Sequence, residues 1–108
     1  MKDIHARAPE RNRLPNRRLH EVFDFEHLGL RYACGIGRFE DGSLAEIFLK
    51  TDKQGSSLDV AIRDDAIAAS LLLQYGCPVE TLRWALTRNS DGSASGPLAR
   101  ALDLIEGQ

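Results

Sequence analysis

The sequence contains little of what several functional classes require. It has 2 cysteines, 3 histidines and 1 tryptophan in 108 residues, and aromatic residues make up 6%. Two cysteines cannot build a disulfide framework, so the expected compartment is the cytoplasm. No apolar run approaches the roughly 20 residues of a membrane span, and the amino terminus lacks the apolar centre of a signal peptide. We therefore expect a cytoplasmic protein with no membrane contact.

The charges are divided unevenly between the amino terminus and the rest. Hydrophobic residues make up 43% and charged residues 28%, values typical of a globular domain. The formal net charge is -2, yet residues 1–18 hold six basic and two acidic residues, so the remainder is strongly acidic. Two prolines and the lack of periodicity predict a flexible basic arm over residues 1–18. The single domain is expected to span residues 19–108.

Three segments alternate between apolar and polar residues with the period of two that is typical of strands. They cover residues 20–27, 30–39 and 44–50. The short connections between them contain glycine, as hairpin loops commonly do. The sequence therefore predicts a three-stranded antiparallel meander.

In the remainder of the sequence, apolar residues recur at the spacing typical of helices. Ser56 or Ser57 can cap a long helix that begins near Leu58, and Gly76 with Pro78 ends it.

Residues 66–73 contain one polar residue, Ser70, so this half of the helix is expected to be buried on most sides. Two shorter helices are predicted, one from Pro78 and one over residues 97–105. The predicted class is α+β, a meander followed by a long buried helix and two shorter helices.

Two glycines in the second strand need a reason, because glycine weakens a strand interior. Gly35 and Gly37 occupy alternate positions there, and the long helix has a segment rich in small residues around Ala66 and Ala69. We expect the glycines to let these alanines approach the sheet closely.

The candidates for chemistry are few. No histidine or cysteine pair has a metal-ligand spacing such as Cys-x-x-Cys or His-x-x-x-His. Cys77 lies at a predicted helix start, which can lower a thiol pKa, but no histidine is near it in sequence. Cys34 alternates with Tyr32 and Ile36, a pattern typical of a core residue. We predict no metal site, no cofactor and no catalytic residue.

Two binding alternatives remain open. The loop before the long helix could bind a phosphate or nucleotide, because helix amino termini attract anions. Its residues are Lys53, Gly55, Ser56 and Ser57. The basic arm could instead contact nucleic acid, although it has no aromatic residue for base stacking. Its contacts would be Arg11, Arg13, Arg17 and Arg18.

The motifs from Glu46 onward resemble those of the TSCPD domain. The resemblance covers about residues 19–105 and is carried by Glu46-Ile47-Phe48-Leu49, Lys53-Gln54-Gly55-Ser56, the helix end Leu71-Leu72-Leu73-Gln74-Tyr75-Gly76-Cys77-Pro78, and Ser95-Gly96-Pro97-Leu98 followed by Ala101-Leu102-Asp103. This domain occurs at the carboxyl end of adenosylcobalamin-dependent ribonucleotide reductases and in short free-standing proteins. The sequence lacks the Thr-Ser-Cys-Pro-Asp run and the several cysteines of the reductase-attached form. The resemblance implies the fold and a link to deoxynucleotide metabolism, and it implies no catalytic residues.

We therefore expect a non-catalytic accessory or regulatory domain that acts through protein contacts, as a homodimer or with another protein. A sheet covered by helices on one face leaves the other face open, and an exposed apolar face usually marks an interface. By strand alternation, this face is expected to carry Phe23, Phe25, Tyr32, Ile36 and Phe48.

Overall fold

A computed structural model describes residues 10–15 and 20–107 of the chain. The sheet has three antiparallel strands in the spatial order β1-β2-β3, which confirms the predicted meander. The strands are β1 (His20–His27), β2 (Leu30–Arg38) and β3 (Leu44–Thr51).

Left-handed backbone makes both hairpin turns tight. Leu28 and Gly29 have φ angles of 51° and 81°, as the favoured two-residue turn requires at both positions. In the second turn Gly42 has a φ of 90°, and the carboxylate of Asp41 accepts a hydrogen bond from the backbone N–H of Ser43. The turn residues thus fix the registers of both strand pairs.

Three helices follow the sheet, as predicted, and their class with it is α+β. They are α1 (Ser57–Gln74), α2 (Val79–Ala85) and α3 (Pro97–Ile105). Among the helices of residues 10–15 and 20–107, none has both the length and the apolar character needed to cross a membrane.

Both ends of α1 are capped by the residues that the sequence offers for this. Ser56 is the cap at the start, where its hydroxyl accepts a hydrogen bond from the N–H of Asp59 at 3.1 Å. At the other end Gly76 has a φ of 101°, and the N–H of Cys77 bonds the carbonyl of Leu72 at 2.9 Å. This left-handed glycine allows the chain to leave the helix with its last carbonyls satisfied.

The core lies between one sheet face and the helices. Helix α1 packs along β3, while α3 contacts both α1 and β1. Phe25, Tyr32 and Ile36 are buried in this core, and Phe23 packs against it from the sheet margin. The expectation that these residues line an open face is therefore wrong, because burying large apolar side chains is what drives the helices onto that face. Phe48 alone of the five lies on the opposite face.

The predicted packing of glycines against the helix is also wrong. In the register, Gly35 is paired with Phe48 and Gly37 with Glu46, so both glycines belong to the face away from the helices. A Cβ added at Gly37 would lie 2.7 Å from Oε2 of Glu46. The close approach made by Gly37 is therefore to a cross-strand side chain and not to α1.

Helix α1 is amphipathic and is not buried on most sides. Ile62, Ala66, Ala69 and Leu73 face the core, as expected of a helical stripe. Ile67, in contrast, is 57% exposed, and Leu71 and Leu72 are also exposed. The apolar run in the second half thus supplies both a core face and an outer face.

Side chains of α1 form hydrogen bonds with backbone groups on the outer edge of β3. Ser70 bonds the N–H and lies within hydrogen-bond distance of the carbonyl of Ile47, while the amide of Gln74 donates to the carbonyl of Ala45. The carboxylate of Asp59 accepts from the N–H of Thr51 at 3.0 Å. An unpaired strand edge is a site for unwanted pairing with other chains, and here the helix covers it.

Candidate interaction surface

The sheet face away from the helices, hereafter the open face, has two central rows of residues. The strand registers align Val22, Gly35 and Phe48 in one row. The neighbouring row contains Asp24, Ala33 and Lys50. The middle strand therefore presents only small residues in these rows, and the larger side chains stand on the two outer strands.

Phe48 gives this face its apolar character. The ring is 47% exposed and leans over β2, because an added Cβ at Gly35 would lie 3.6 Å from its Cδ2. The imidazole of His20 on β1 stacks against it, with ring centroids 5.9 Å apart. Val22, on the same strand as His20, is 73% exposed. Phe48 and Val22 thus form an exposed apolar strip across the sheet.

A groove of about 640 Å³ continues this strip around the edge of β3 to α1. On the sheet side it is lined by Phe48 and Val22, and on the helix side by Arg63 and Ile67. Ile67 adds a second exposed apolar side chain beside Phe48. Exposed apolar side chains that form one continuous area are typical of a protein contact surface.

The charges on the open face differ between its two margins. β1 carries Asp24, which forms an exposed ion pair with Arg31 of β2 at 3.5 Å, and it also carries exposed Glu26. β3 carries exposed Lys50. In the row next to the apolar strip, the acidic Asp24 therefore lies on β1 and the basic Lys50 on β3.

The predicted phosphate loop already surrounds a carboxylate of the chain itself. Asp59 is 2% exposed, and it accepts hydrogen bonds from the N–H groups of Thr51 and Gly55 and from Nε of Arg63. The bond from Thr51 is the main cause that lowers the pKa of Asp59, with Gly55 and Arg63 adding to it. Anion binding by this loop stays a prediction, although the backbone N–H of Gly55 already donates a hydrogen bond to Asp59.

Part of the predicted arm lies against the domain. Arg11 donates from Nε to the side-chain carbonyl of Gln74, and the N–H of Asn12 bonds the backbone carbonyl of Gln74 at 2.8 Å. Arg13 lines a groove beside the hairpin loop between β2 and β3. Arg17 and Arg18 lie outside the described residues, so nucleic-acid contact by the arm stays a prediction.

The two thiols differ in burial. Burial raises the pKa of the Cys34 thiol to about 12, so it stays protonated and is a poor nucleophile. Cys77 is partly exposed at the end of α1. Within residues 10–15 and 20–107, no three histidine, cysteine or acidic side chains come together as metal ligands.

Sequence reasoning missed an ionic cluster that joins α2 to α3. The carboxylate of Asp103 accepts from Arg83 at 3.1 Å and from Arg88 at 2.6 and 2.9 Å. These bonds, led by the one from Arg88, lower the pKa of Asp103. The guanidinium of Arg88 also lies 4.3 Å from the ring centroid of Trp84, which is 58% exposed. The sequence signal for this cluster was Asp103, a charged residue between the apolar Leu102 and Leu104.

Part of the chain is similar to a much larger class of protein. Over 78 residues, 72% of this chain, it is 38% identical to the vitamin B12-dependent ribonucleotide reductase of Agrobacterium fabrum. Over 71 residues, 66% of this chain, it is 38% identical to the protein of that name from Bradyrhizobium diazoefficiens. With that of Streptomyces clavuligerus it shares 40% identity over 73 residues, 68% of this chain.

The similarity is confined to a small region of those proteins. The chain spans 6% of the length of the first two relatives and 8% of the third. No protein-family model matches the sequence, and no solved structure matches the fold. The chain is therefore homologous to one small segment of vitamin B12-dependent ribonucleotide reductases.

Proposed function

We propose that the chain is a non-catalytic accessory domain of the TSCPD type, related to ribonucleotide reductase, that acts through protein contacts. Its role would lie in deoxynucleotide metabolism, by regulating or scaffolding a reductase. The observation that carries the proposal is the exposed strip of Phe48 and Val22 in a domain homologous to a reductase segment. A surface of this kind gains free energy when another protein covers it.

The surroundings of the Cys34 thiol support the non-catalytic part of the proposal. A thiol acts as a nucleophile through its thiolate, and burial keeps Cys34 protonated at neutral pH. Buried Asp103 is engaged with Arg83 and Arg88, and buried Asp59 with Arg63. These charges are thus engaged within the fold.

The contact function is tested by titrating the chain into the purified reductase holoenzyme of Agrobacterium fabrum in a calorimeter. We expect saturable binding by the wild type and at least tenfold weaker binding by Phe48→Ser, which removes the centre of the strip. Trp84→Ala is the matched control, because it removes an exposed aromatic ring from α2. No binding by the wild type, or equal loss in both variants, would contradict the proposed contact.

The non-catalytic part has its own test. The chain alone is incubated with ribonucleotides, adenosylcobalamin and a dithiol reductant, and deoxyribonucleotides are measured by chromatography. We expect none above the level of a reaction without protein. Product that depends on the chain would overturn this part and leave the contact test unaffected.

A further inference from the structure

The open face is complementary to itself. In the row Asp24–Ala33–Lys50, the acidic residue is on β1 and the basic residue is on β3, with a small residue between them on β2. In the next row, Val22 and Phe48 stand on the same two strands with Gly35 between them. Within these two rows, the β1 and β3 positions therefore differ in charge in one row and are both apolar in the other.

This pattern fits a two-fold axis that runs along β2, in the plane where two open faces meet. Rotation by 180° about such an axis places β1 of one copy over β3 of the other. Asp24 then faces Lys50 of the second copy, and Val22 faces Phe48 of the second copy. Each contact occurs twice, as two-fold symmetry requires.

We propose that a second copy of this chain binds to the open face in this arrangement. The inference rests on the proposed function, because it takes the open face as a contact surface and adds a second copy as an occupant that exchanges with the reductase at Phe48. On the axis, Ala33 leaves room for the second sheet, while the Phe48 ring that leans over Gly35 supplies the apolar contact. Packed sheets cross at about 30°, so the pairing applies to the two central rows and not to the ends of the strands.

The size of the face sets the strength of the contact. Three strands of about eight residues cover roughly 400 Å² per copy, from a strand spacing near 4.8 Å and a rise near 3.3 Å per residue. A stable standard interface covers about 800 Å² per partner, so this dimer forms and dissociates reversibly. Its population rises with protein concentration.

Charge reversal tests the arrangement, because both residues are exposed and can be changed with little effect on the core. Lys50→Asp places like charges opposite each other in a dimer of that variant, and Asp24→Lys does the same with the opposite sign. In an equal mixture of the two variants, every 24–50 contact between unlike copies again joins opposite charges. Association is measured by sedimentation equilibrium of the full chain from micromolar to millimolar concentration.

The proposal predicts a wild-type dimer, at least tenfold weaker self-association of each variant alone, and recovery in the mixture. Far-ultraviolet circular dichroism checks that each variant is folded. A wild type that stays monomeric at every concentration overturns the proposal, and so does a dimer that both single variants leave unchanged. A monomer that still binds the reductase through Phe48 overturns this inference alone, whereas a dimer that fails to bind it contradicts only the proposed function.

Discussion

The hydroxyl of Ser70 lies 2.9 Å from the backbone nitrogen of Ile47 and 3.1 Å from its carbonyl oxygen. One side chain of α1 thus lies within hydrogen-bond distance of both backbone groups of Ile47 at the outer edge of β3. The same hydroxyl lies 2.9 Å from the carbonyl of Ala66 one turn earlier, and its single proton can be given to either carbonyl. The bond that Ser70 accepts from Ile47 does not depend on that choice.

Replacing Ser70→Ala is expected to lower the free energy of unfolding by about 1–2 kcal/mol, because the N–H of Ile47 loses its acceptor at a part-buried site. Urea denaturation followed by circular dichroism measures the change. Ser57→Ala is the control in the first turn of the same helix, where the side chain is exposed, and it should stay within about 0.5 kcal/mol of wild type. Equal effects of the two variants would show that Ser70 does not hold the edge.

Two glycines of β2 are expected to respond differently to alanine. At Gly37 the new Cβ would lie 2.7–3.0 Å from three atoms of the buried Glu46 side chain, which must therefore move. We expect Gly37→Ala to lower the free energy of unfolding by about 1–2 kcal/mol. At Gly35 the nearest atom is Cδ2 of Phe48 at 3.6 Å, an ordinary contact. Gly35→Ala should therefore leave the stability unchanged or raise it by up to about 1 kcal/mol. Thermal unfolding of both variants measures the difference, and a loss at Gly35 equal to that at Gly37 would contradict this packing.

Asp103→Asn should lower the free energy of unfolding by about 3 kcal/mol at pH 7, because Arg83 and Arg88 keep their charges and lose a carboxylate partner at a nearly buried site. Denaturant unfolding measures the loss. Glu40→Gln, in the exposed hairpin loop, is the charge-matched control and should have little effect. A loss at Asp103 no larger than that of the control would show that the cluster contributes little to stability.

The same residue predicts a dependence on pH. Hydrogen bonds from Arg88 and Arg83 lower the pKa of Asp103 in the folded state, below the value near 3.9 that an unfolded aspartate has. The stability from its charged form is therefore complete above about pH 4 and is lost as the pH falls through the folded pKa. We expect the difference between wild type and Asp103→Asn to be constant from pH 7 to about 5 and to shrink in stronger acid. A difference that grows on acidification would contradict the direction of this shift.

The two cysteines should differ in reactivity. Cys34 is fully buried and burial raises its pKa to about 12, so iodoacetamide at pH 8 should leave it unmodified in the native protein. Cys77 is partly exposed and should react. Mass spectrometry of peptides identifies the modified residue, and denaturant should make both cysteines reactive. Native modification of Cys34 at the rate of Cys77 would show that the sheet opens more readily than its burial indicates.

The order of helices and strands was predictable because the sequence marks their ends locally. The predicted strand over residues 20–27 agrees with β1, and α3 begins at Pro97 as predicted. Glycine and serine at the ends of α1 act through the turn that contains them, so neighbouring residues are enough to place them.

The prediction of which sheet face the helices cover was wrong, because alternation divides a strand into two faces without showing which of them is covered. The large side chains of Tyr32 and Ile36 gain more by burial than Gly35 and Gly37 can, so they turn inward and the glycines turn outward. The prediction placed Phe48 on the open face correctly and left out Val22, which is 73% exposed there.

Contacts between distant residues could not be predicted from local patterns. Asp59, Ser70 and Gln74 bond backbone groups of β3 that lie 8–29 positions away in the chain. Ser70 was visible as a polar residue in an apolar run, but the sequence did not name its partner. Asp103 was visible in the same way, and its partners Arg83 and Arg88 lie on other parts of the fold.

The covering of the β3 edge by α1 limits how this sheet could grow. Among residues 10–15 and 20–107, β1 and β3 each have one side without a neighbouring strand, and α1 covers that side of β3. If two molecules joined their sheets edge to edge, they would meet β1 to β1, giving six strands whose outermost members both lie under a helix. Pairing through this edge alone ends with two molecules, because the strands at both ends of the joined sheet are covered.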